Sequence, residues 1–319
     1  MHEFELIKKY FSPLSLNNKS SLNLNDDVFF NKTKKLAVSV DTYVEGIHFI
    51  NFKKPDLIIK KILRSSISDL ICKGIYPKFY FISGSGNRKS FTKTNLKKIS
   101  NSLKQEQKKY SINIGGGDTV YSKKLSFTIT SIGFSKKIIY RNKAKIGDDI
   151  YVTGNLGDSY IGLKVLKKSI RINKRLANYF KKKYYYPDLN IKFIHKLLSL
   201  ANTSIDVSDG LFTDLDKLIN KQKLSYKLYI KNIPISQNLK RLIDLKLIKK
   251  INCISKGDDY QILFTAKSSK SNIINKASKK LGIKISKIGK ICSSSYASEI
   301  IDEKKAKITP KNKGYYHSF

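Results

Sequence analysis

NKAKIGDDIYVTGNLGDS, residues 142–159, divides the chain. Gly147 and the paired Asp148-Asp149 form a turn, the strand DDIYVTG (148–154) follows, and a helix-period stretch begins at 157. A fresh strand feeding a fresh helix is how a second α/β unit opens, so the sequence places a boundary near residue 140, separating a unit of 1–140 from one of 141–319. Upstream, LAVSV (36–40), KFYFISG (78–84), SINIGG (111–116) and LSFTITSIGF (125–134) read as strands, and QILFTA (261–266) does so downstream. Helix-period stretches lie at 56–73, 91–109, 157–168, 188–200 and 209–221. Alternating strands and helices give an α/β (α+β) fold with a mixed sheet in the N-terminal domain and an α/β C-terminal domain. The lysine-rich stretch 169–183 reads as a solvated helix face.

The charge is extreme. Lys and Arg number 63 against 24 Asp and Glu, a net +39. Lysines sit along every segment rather than in one arm, and Ile, Asn, Tyr and Phe are abundant beside them. That pattern is a chain-wide drift in residue choice, and a nucleic-acid role is not expected from it, although anionic substrates would be steered inward. Cys72, Cys253 and Cys292 are far apart, with no metal or disulfide spacing. The start MHEFELIKKYF has charges where a signal peptide needs an apolar core, and no apolar run is long enough to span a membrane. The expectation is a cytoplasmic protein with no membrane partner.

In so basic a chain the placement of the few acids carries information. Asp26 and Asp27 are adjacent, Asp41 follows LAVSV, Asp69 lies in SISDL, and Asp118 follows three glycines in GGGDTV (115–120). Asp206 and Asp209 lie in SIDVSDG, and Asp258 and Asp259 in KGDDY. Most stand at strand ends or beside Gly or Ser. Each alone could be a turn former or helix cap, and Asp148, Asp149 and Asp158 read as such. Gathered together, carboxylates repel one another and raise one another's pKa, a strain that a hard divalent cation such as magnesium relieves. The glycines of 115–117 let a backbone approach phosphate closely, without the G-K-[ST] of a Walker loop or the Rossmann spacing. Ser208 and the helix start after Asp209-Gly210 offer a second phosphate cradle. His48 sits seven residues after Asp41 with no second His or Cys at zinc spacing; His2, His195 and His317 give no chemical signal of their own.

Eight motifs now stand in one order: NDDVFF, VSVDTYVEGIHF, SISDLICKGIYPKFYFISGS, INIGGGDT, AKIGDDIYVTGNLGDS, IDVSDGLFTDL, KGDDYQILF and GYYHSF. From about residue 3 to the end the chain resembles thiamine-monophosphate kinase, within the superfamily of aminoimidazole ribonucleotide synthetase and selenophosphate synthetase. The resemblance implies a two-domain fold like that synthetase's, a homodimer formed through the N-terminal sheet, and transfer of the ATP γ-phosphoryl group to thiamine monophosphate. It also implies several magnesium ions held by Asp27, Ser39, Val40 (through its backbone), Asp41, Asp69, Asp118, Asp206 and Asp209. ATP would meet Gly117, Asp118, Arg141 and Ser208; the thiamine phosphate would meet His48, Asp259, Gln261 and Tyr315; and Asp118, Arg141 and Asp209 would carry catalysis. The chain departs from the family pattern at Asn25 and Val40, at Gln261 in place of an acid, and at the inserted Ser318. Two other readings are a sister ATP-dependent synthetase and a basic nucleic-acid-binding protein.

Overall fold

A computed structural model describes residues 3–317 of the chain. His2, Ser318 and Phe319 lie outside the described residues.

Two sheets are strung along the chain. The first has the order β1-β2-β5-β3-β4, built from β1 (Phe29–Asn31), β2 (Leu36–Val44), β3 (Pro77–Gly86), β4 (Asn113–Tyr121) and β5 (Ser126–Phe134). It is mixed: β3 runs parallel to β4, and the other pairs are antiparallel. The second has the order β11-β8-β10-β6-β9-β7. Its strands are β6 (Asp149–Thr153), β7 (Thr203–Asp206), β8 (Leu224–Tyr229), β9 (Ile262–Ala266), β10 (Ile285–Ser293) and β11 (Glu299–Ile301). Helices intervene as the sequence periods require. A short α1 (Glu3–Leu6) is followed by α2 (Pro55–Cys72), α3 (Lys93–Tyr110), α4 (Asp158–Leu166) and α5 (Lys174–Tyr185), then α6 (Ile194–Leu200) and α7 (Leu211–Leu218). The chain continues through α8 (Gln237–Asp244), α9 (Lys250–Ile254) and α10 (Ser271–Leu281). Among the described residues no helix is long and apolar enough to cross a membrane.

Helix α2 is the organising element. Pro55 at its first position presets a helical φ, and Gly74 at φ +80° ends it in the left-handed conformation that glycine adopts freely. Its Ile59, Ile62 and Ile67 pack with Tyr43 and Ile129 of the first sheet, in one cluster that also takes in Phe193 and Phe264 of the second half. Buried on both sides, α2 must find a partner for every polar group it carries inward. It carries Lys61, Arg64, Ser65, Ser66 and Ser68, all buried, with Lys73 just past its end. Arg64 forks onto Glu106 of α3 (Nε–Oε2 2.7 Å, Nη2–Oε1 2.9 Å) and donates to the Pro187 carbonyl. Ser66 and Ser131 share a 2.9 Å hydrogen bond.

Of the three acids read as turn or cap residues, Asp148 closes the turn that opens the second half. Asp149 is instead the first residue of β6, and Asp158 stands behind Gly157, the N-cap of α4, with its carboxylate turned to side chains. Both carboxylate oxygens of Asp148 accept from Asn202, and Oδ2 also accepts from Thr265 and the Lys145 amide. Asp149 pairs with Lys287. Asp158 opens α4 and accepts from Ser236 (2.7 Å) and Tyr179 (2.8 Å).

Candidate active site

The C-terminal end of α2 draws four segments together. Ser68 Oγ donates to Asp206 Oδ2 at the end of β7 (2.7 Å), and Asp69 accepts from Ser39 Oγ on β2 (2.5 Å). Lys73, one turn beyond Asp69, lies 2.8 Å from Asp26 Oδ1 and 2.7 Å from Asp27 Oδ2, and donates to the Ser204 carbonyl (2.7 Å). Arg141 closes the same corner: its guanidinium pairs with Asp27 and its amide donates to Asp26 Oδ2 (2.9 Å).

The acids here fall into two classes. Asp26 and Asp27 are neutralised by Lys73 and Arg141. Asp41, Asp69 and Asp206 accept only from hydroxyls and form no ion pair among the described residues. Burial, then the Asp206 charge, pushes the Asp41 carboxyl up to about 7. Asp69 is raised well above the usual range by burial, then by Asp41 and Asp206. Burial and the neighbouring Asp209 raise Asp206 too, against the Ser68 hydrogen bond. Three carboxylates held this way repel one another. Among the described residues no three acids, histidines or cysteines close a metal cage by themselves.

Asp209 lies on the loop between β7 and α7. Asp214 is fully buried, pushed up to about 8 by burial despite the Lys217 charge, and accepts the amides of Asp209 and Gly210 (3.0 Å each). Lys217 bridges the carboxylates of Asp209 and Asp214. Ser208 sits on this loop, and its carbonyl accepts the Asp258 amide (2.8 Å). There the KGDDY loop packs so closely that a Cβ on Gly257 would stand 1.6 Å from Ser208 O.

The C-terminal tail continues the site. Tyr315 N donates to Asp209 O, and Tyr316 shares a hydroxyl hydrogen bond with Thr213. The His317 ring lies 5.4 Å from that of His48 and 4.9 Å from that of Tyr315. His48 Nδ1 accepts the Val44 amide (3.0 Å). Burial, then the charge of His317, lowers its pKa from the usual value. Lys61 stands nearby, 2.6 Å from Asp258 Oδ1 and 4.3 Å over the Tyr184 ring.

The structure therefore gathers Ser39, Asp41, Asp69, Arg141, Asp206, Ser208 and Asp209 at one place, and His48 and Tyr315 beside it. Asp27 is there as well, its carboxylate taken by two cations. Asp259 and Gln261 are engaged by the protein. Asp259 Oδ2 accepts the Gly157 amide at the start of α4 (2.7 Å). Gln261 Oε1 accepts from Thr153 and Asn190 while its Nε2 donates to the Asp188 and Asp259 carbonyls. Both line a cavity of about 210 Å³ shared with Asp258, Lys183 and Lys284.

Gly117, Asp118 and Val40 stand apart. Asp41 is level with Ile129, Ile129 with Ile82, and Ile82 with Gly117, so three strand spacings, roughly 14 Å, separate β2 from β4. Asp118 is level with exposed Ser83, on the sheet face turned away from α2, whereas Asp41 alternates with buried Ser39 and Tyr43 on the α2 side. Every residue of the edge strand β4 is exposed. Val40 points to that outer face, 61% exposed, as do Phe79, Phe81 and Phe134. Gly117 is a necessity of packing: a Cβ would meet Ile82 O at 1.9 Å.

Sequence reasoning passed over Lys61, Ser68, Lys73, Asp214, Lys217 and His317. In a chain so rich in lysine, only burial singles out Lys61 and Lys73; Asp214 was within reach, as an acid five residues after Asp209 in the same motif.

Residues 25–135 match the family model of the AIR synthase related protein N-terminal domain. The thiamine-monophosphate kinase of Buchnera aphidicola from Schizaphis graminum is 35% identical over 99% of this chain and 98% of its own length. That of the Buchnera from Acyrthosiphon pisum is 36% identical over the same shares. Among solved structures, AaThiL complexed with AMPPCP and TMP superposes with a TM-score of 0.85 over 99% of this chain and 97% of that one. At 23% identity this last likeness speaks for the fold.

Proposed function

Because the chain belongs to the thiamine-monophosphate kinase family and phosphorylates thiamine monophosphate with ATP, we propose from its geometry which of its residues do the work. The observation that carries the reading is the set of carboxylates of half-buried Asp41 and Asp69 and buried Asp206, which have hydroxyl partners and, among the described residues, no ion pair. With Asp209 they would hold magnesium, which when bound neutralises phosphate charge and keeps donor and acceptor in line. Ser39 and Ser68 orient two of these carboxylates. Asp214 fixes the Asp209 loop through two amides, and Lys217 neutralises its charge until the ligands arrive.

ATP would lie along the Ser208 loop. Asp27 takes part of the Arg141 fork, and the guanidinium's remaining donors are left for phosphate oxygens. Thiamine monophosphate would enter between His48, Tyr315 and Asp258, with the adjoining cavity of Asp259 and Gln261 receiving part of it. The acceptor is a phosphate oxygen already ionised near neutral pH, so positioning and charge neutralisation suffice and no general base is required.

Asp118 and Gly117 join this site from a second copy of the chain. What supports a homodimer is the apolar outer face of the first sheet, with Val40, Phe79, Phe81 and Phe134 exposed together beside an uncovered edge strand. Residues 1–140 and 141–319 would be the two domains of each subunit. Three free cysteines and the ATP requirement fit a cytoplasmic enzyme.

The deciding experiment supplies purified protein with ATP, magnesium and thiamine monophosphate and measures thiamine diphosphate. Its formation, abolished by chelating magnesium, supports the reading. ATP consumption only with a different acceptor would make the chain a sister synthetase and overturn it.

A further inference from the structure

The Lys73 ammonium has three N–H donors and three oxygen partners: Asp26 Oδ1 at 2.8 Å, Asp27 Oδ2 at 2.7 Å and the Ser204 carbonyl at 2.7 Å. The side chain is fully buried. Its shell is complete without water or ligand. Arg141 covers the other side of Asp27 and donates its amide to Asp26. Two carboxylates and two cations thus form a charge-closed unit in the wall of the site. Nearby, Asp41, Asp69 and Asp206 form no ion pair among the described residues, and the Lys73 charge acts on Asp69 and Asp206 only as a background that lowers their raised pKa values.

We infer that Lys73 is a built-in counter-cation that takes the place of a magnesium ion at Asp26 and Asp27, so that divalent ions bind at Asp41, Asp69, Asp206 and Asp209 and Asp27 acts by orienting Arg141. The reasoning is electrostatic. A divalent ion entering between Asp26 and Asp27 would have to displace a buried ammonium from all three of its acceptors, leaving that charge uncompensated in a low-dielectric wall. Entering at the three unpaired carboxylates, it relieves repulsion and displaces nothing charged. Oxygen ligands that would suit magnesium are present at both places. The cation at Asp26 and Asp27 is fully buried with all three donors taken, whereas the one at Asp209, Lys217, is partly exposed. Lys73 is thereby a positioning residue: it touches no reacting atom, but it fixes how many ions the chain must recruit and keeps Asp27 turned to the guanidinium.

The inference rests on the phosphotransferase reading only in supposing that magnesium enters the site, and its test reads ion number rather than turnover. Manganese would be titrated into the full-length protein in the presence of a non-hydrolysable ATP analogue, with bound ions counted by electron paramagnetic resonance. Lys73→Met is expected to bind one more ion per chain than the unaltered protein, with a melting temperature that rises more steeply with magnesium; Lys73→Arg is expected to keep the original number. Asp27→Asn, which keeps both buried cations in place, is expected to leave the count unchanged, whereas Asp69→Asn loses an ion. Loss of an ion in Asp27→Asn, or an unchanged count in a folded Lys73→Met, overturns the inference. Should Lys73→Met fail to fold, the Asp27→Asn count decides. Thiamine diphosphate formation measured on the unaltered protein reports separately on the kinase reading.

Discussion

The backbone amide of Tyr315 donates a 2.9 Å hydrogen bond to the carbonyl oxygen of Asp209, which fastens the C-terminal tail to the loop bearing a candidate magnesium ligand. One residue earlier, Gly314 passes so near α7 that an added Cβ would stand 2.2 Å from Thr213 Oγ1 and 2.8 Å from Asp209 O. Gly314→Val must therefore lift the tail, taking Tyr315 and His317 away from His48. The expected result is a rise of roughly tenfold or more in KM for thiamine monophosphate, with little change in KM for ATP. Steady-state kinetics with each substrate varied in turn checks this. An unchanged KM for thiamine monophosphate would detach the tail from the substrate site.

Asp118 offers a test of the two-copy site. It is exposed on β4, so Asp118→Asn should leave the melting temperature unchanged. Turnover should fall by about two orders of magnitude, the scale for removing one transition-state electrostatic contact. Mixing it with inactive Asp206→Asn should restore roughly a quarter of the original activity, because half the dimers are hybrids with one intact site each. Failure of the mixture to recover would place Asp118 outside any shared site.

What the sequence makes legible is the set of strand-and-helix units whose periodicity is clean. β2, β3, β5, α2, α3 and the strand-to-loop turn at Asp206–Gly210 all lie where the pattern puts them. The region after 222 is far less legible, and β10 shows why. Ile285, Ile288 and Ile291 recur every three residues, a helical spacing, yet they lie in a strand whose pairing with β6 skips Ile288 between Lys287 and Gly289. The bulge returns Ile288 and Ile291 to the same core. No alternation rule could have found it. At the site, the acids were visible because they are few, but the partition between paired Asp27 and unpaired Asp69 depends on which lysine is buried. Asp118 was legible as an acid after glycines. That it faces away from Asp41 follows only from sheet order.

His48 sets a pH dependence. Burial first, then the His317 and Lys61 charges, lowers its pKa from the ordinary value of about 6.5, against the pull of Asp258. The unfolded chain therefore takes up this proton at a higher pH than the folded chain. Between the two values the unfolded state binds more protons, and stability falls as pH drops below about 6.5. The substrate's thiazolium is a cation, so an imidazolium beside it repels. KM for thiamine monophosphate should be flat at neutral pH, rise on the acid side of the lowered His48 value, and lose that rise in His48→Gln. A rise that persists in the variant assigns it to another group.

The buried pair of Arg64 and Glu106 ties α2 to α3, and its removal separates stability from chemistry. Side chains of both residues are nearly inaccessible (5% and 3%), and the Arg64 fork is completed by the Pro187 carbonyl and flanked by the Tyr110 and Tyr186 rings. Desolvating two charges offsets most of their attraction, so the intact pair contributes little net stability. Breaking it from one side is different, because the survivor is left charged in an apolar wall. Arg64→Met should destabilise by about 3–5 kcal/mol, and the double variant Arg64→Met/Glu106→Leu should recover most of that loss. Urea unfolding midpoints of the two singles and the double measure the coupling. KM values should stay near those of the unaltered protein, since neither residue reaches the carboxylate cluster. If the double variant is as unstable as the sum of the singles, the pair is not the unit that joins these helices.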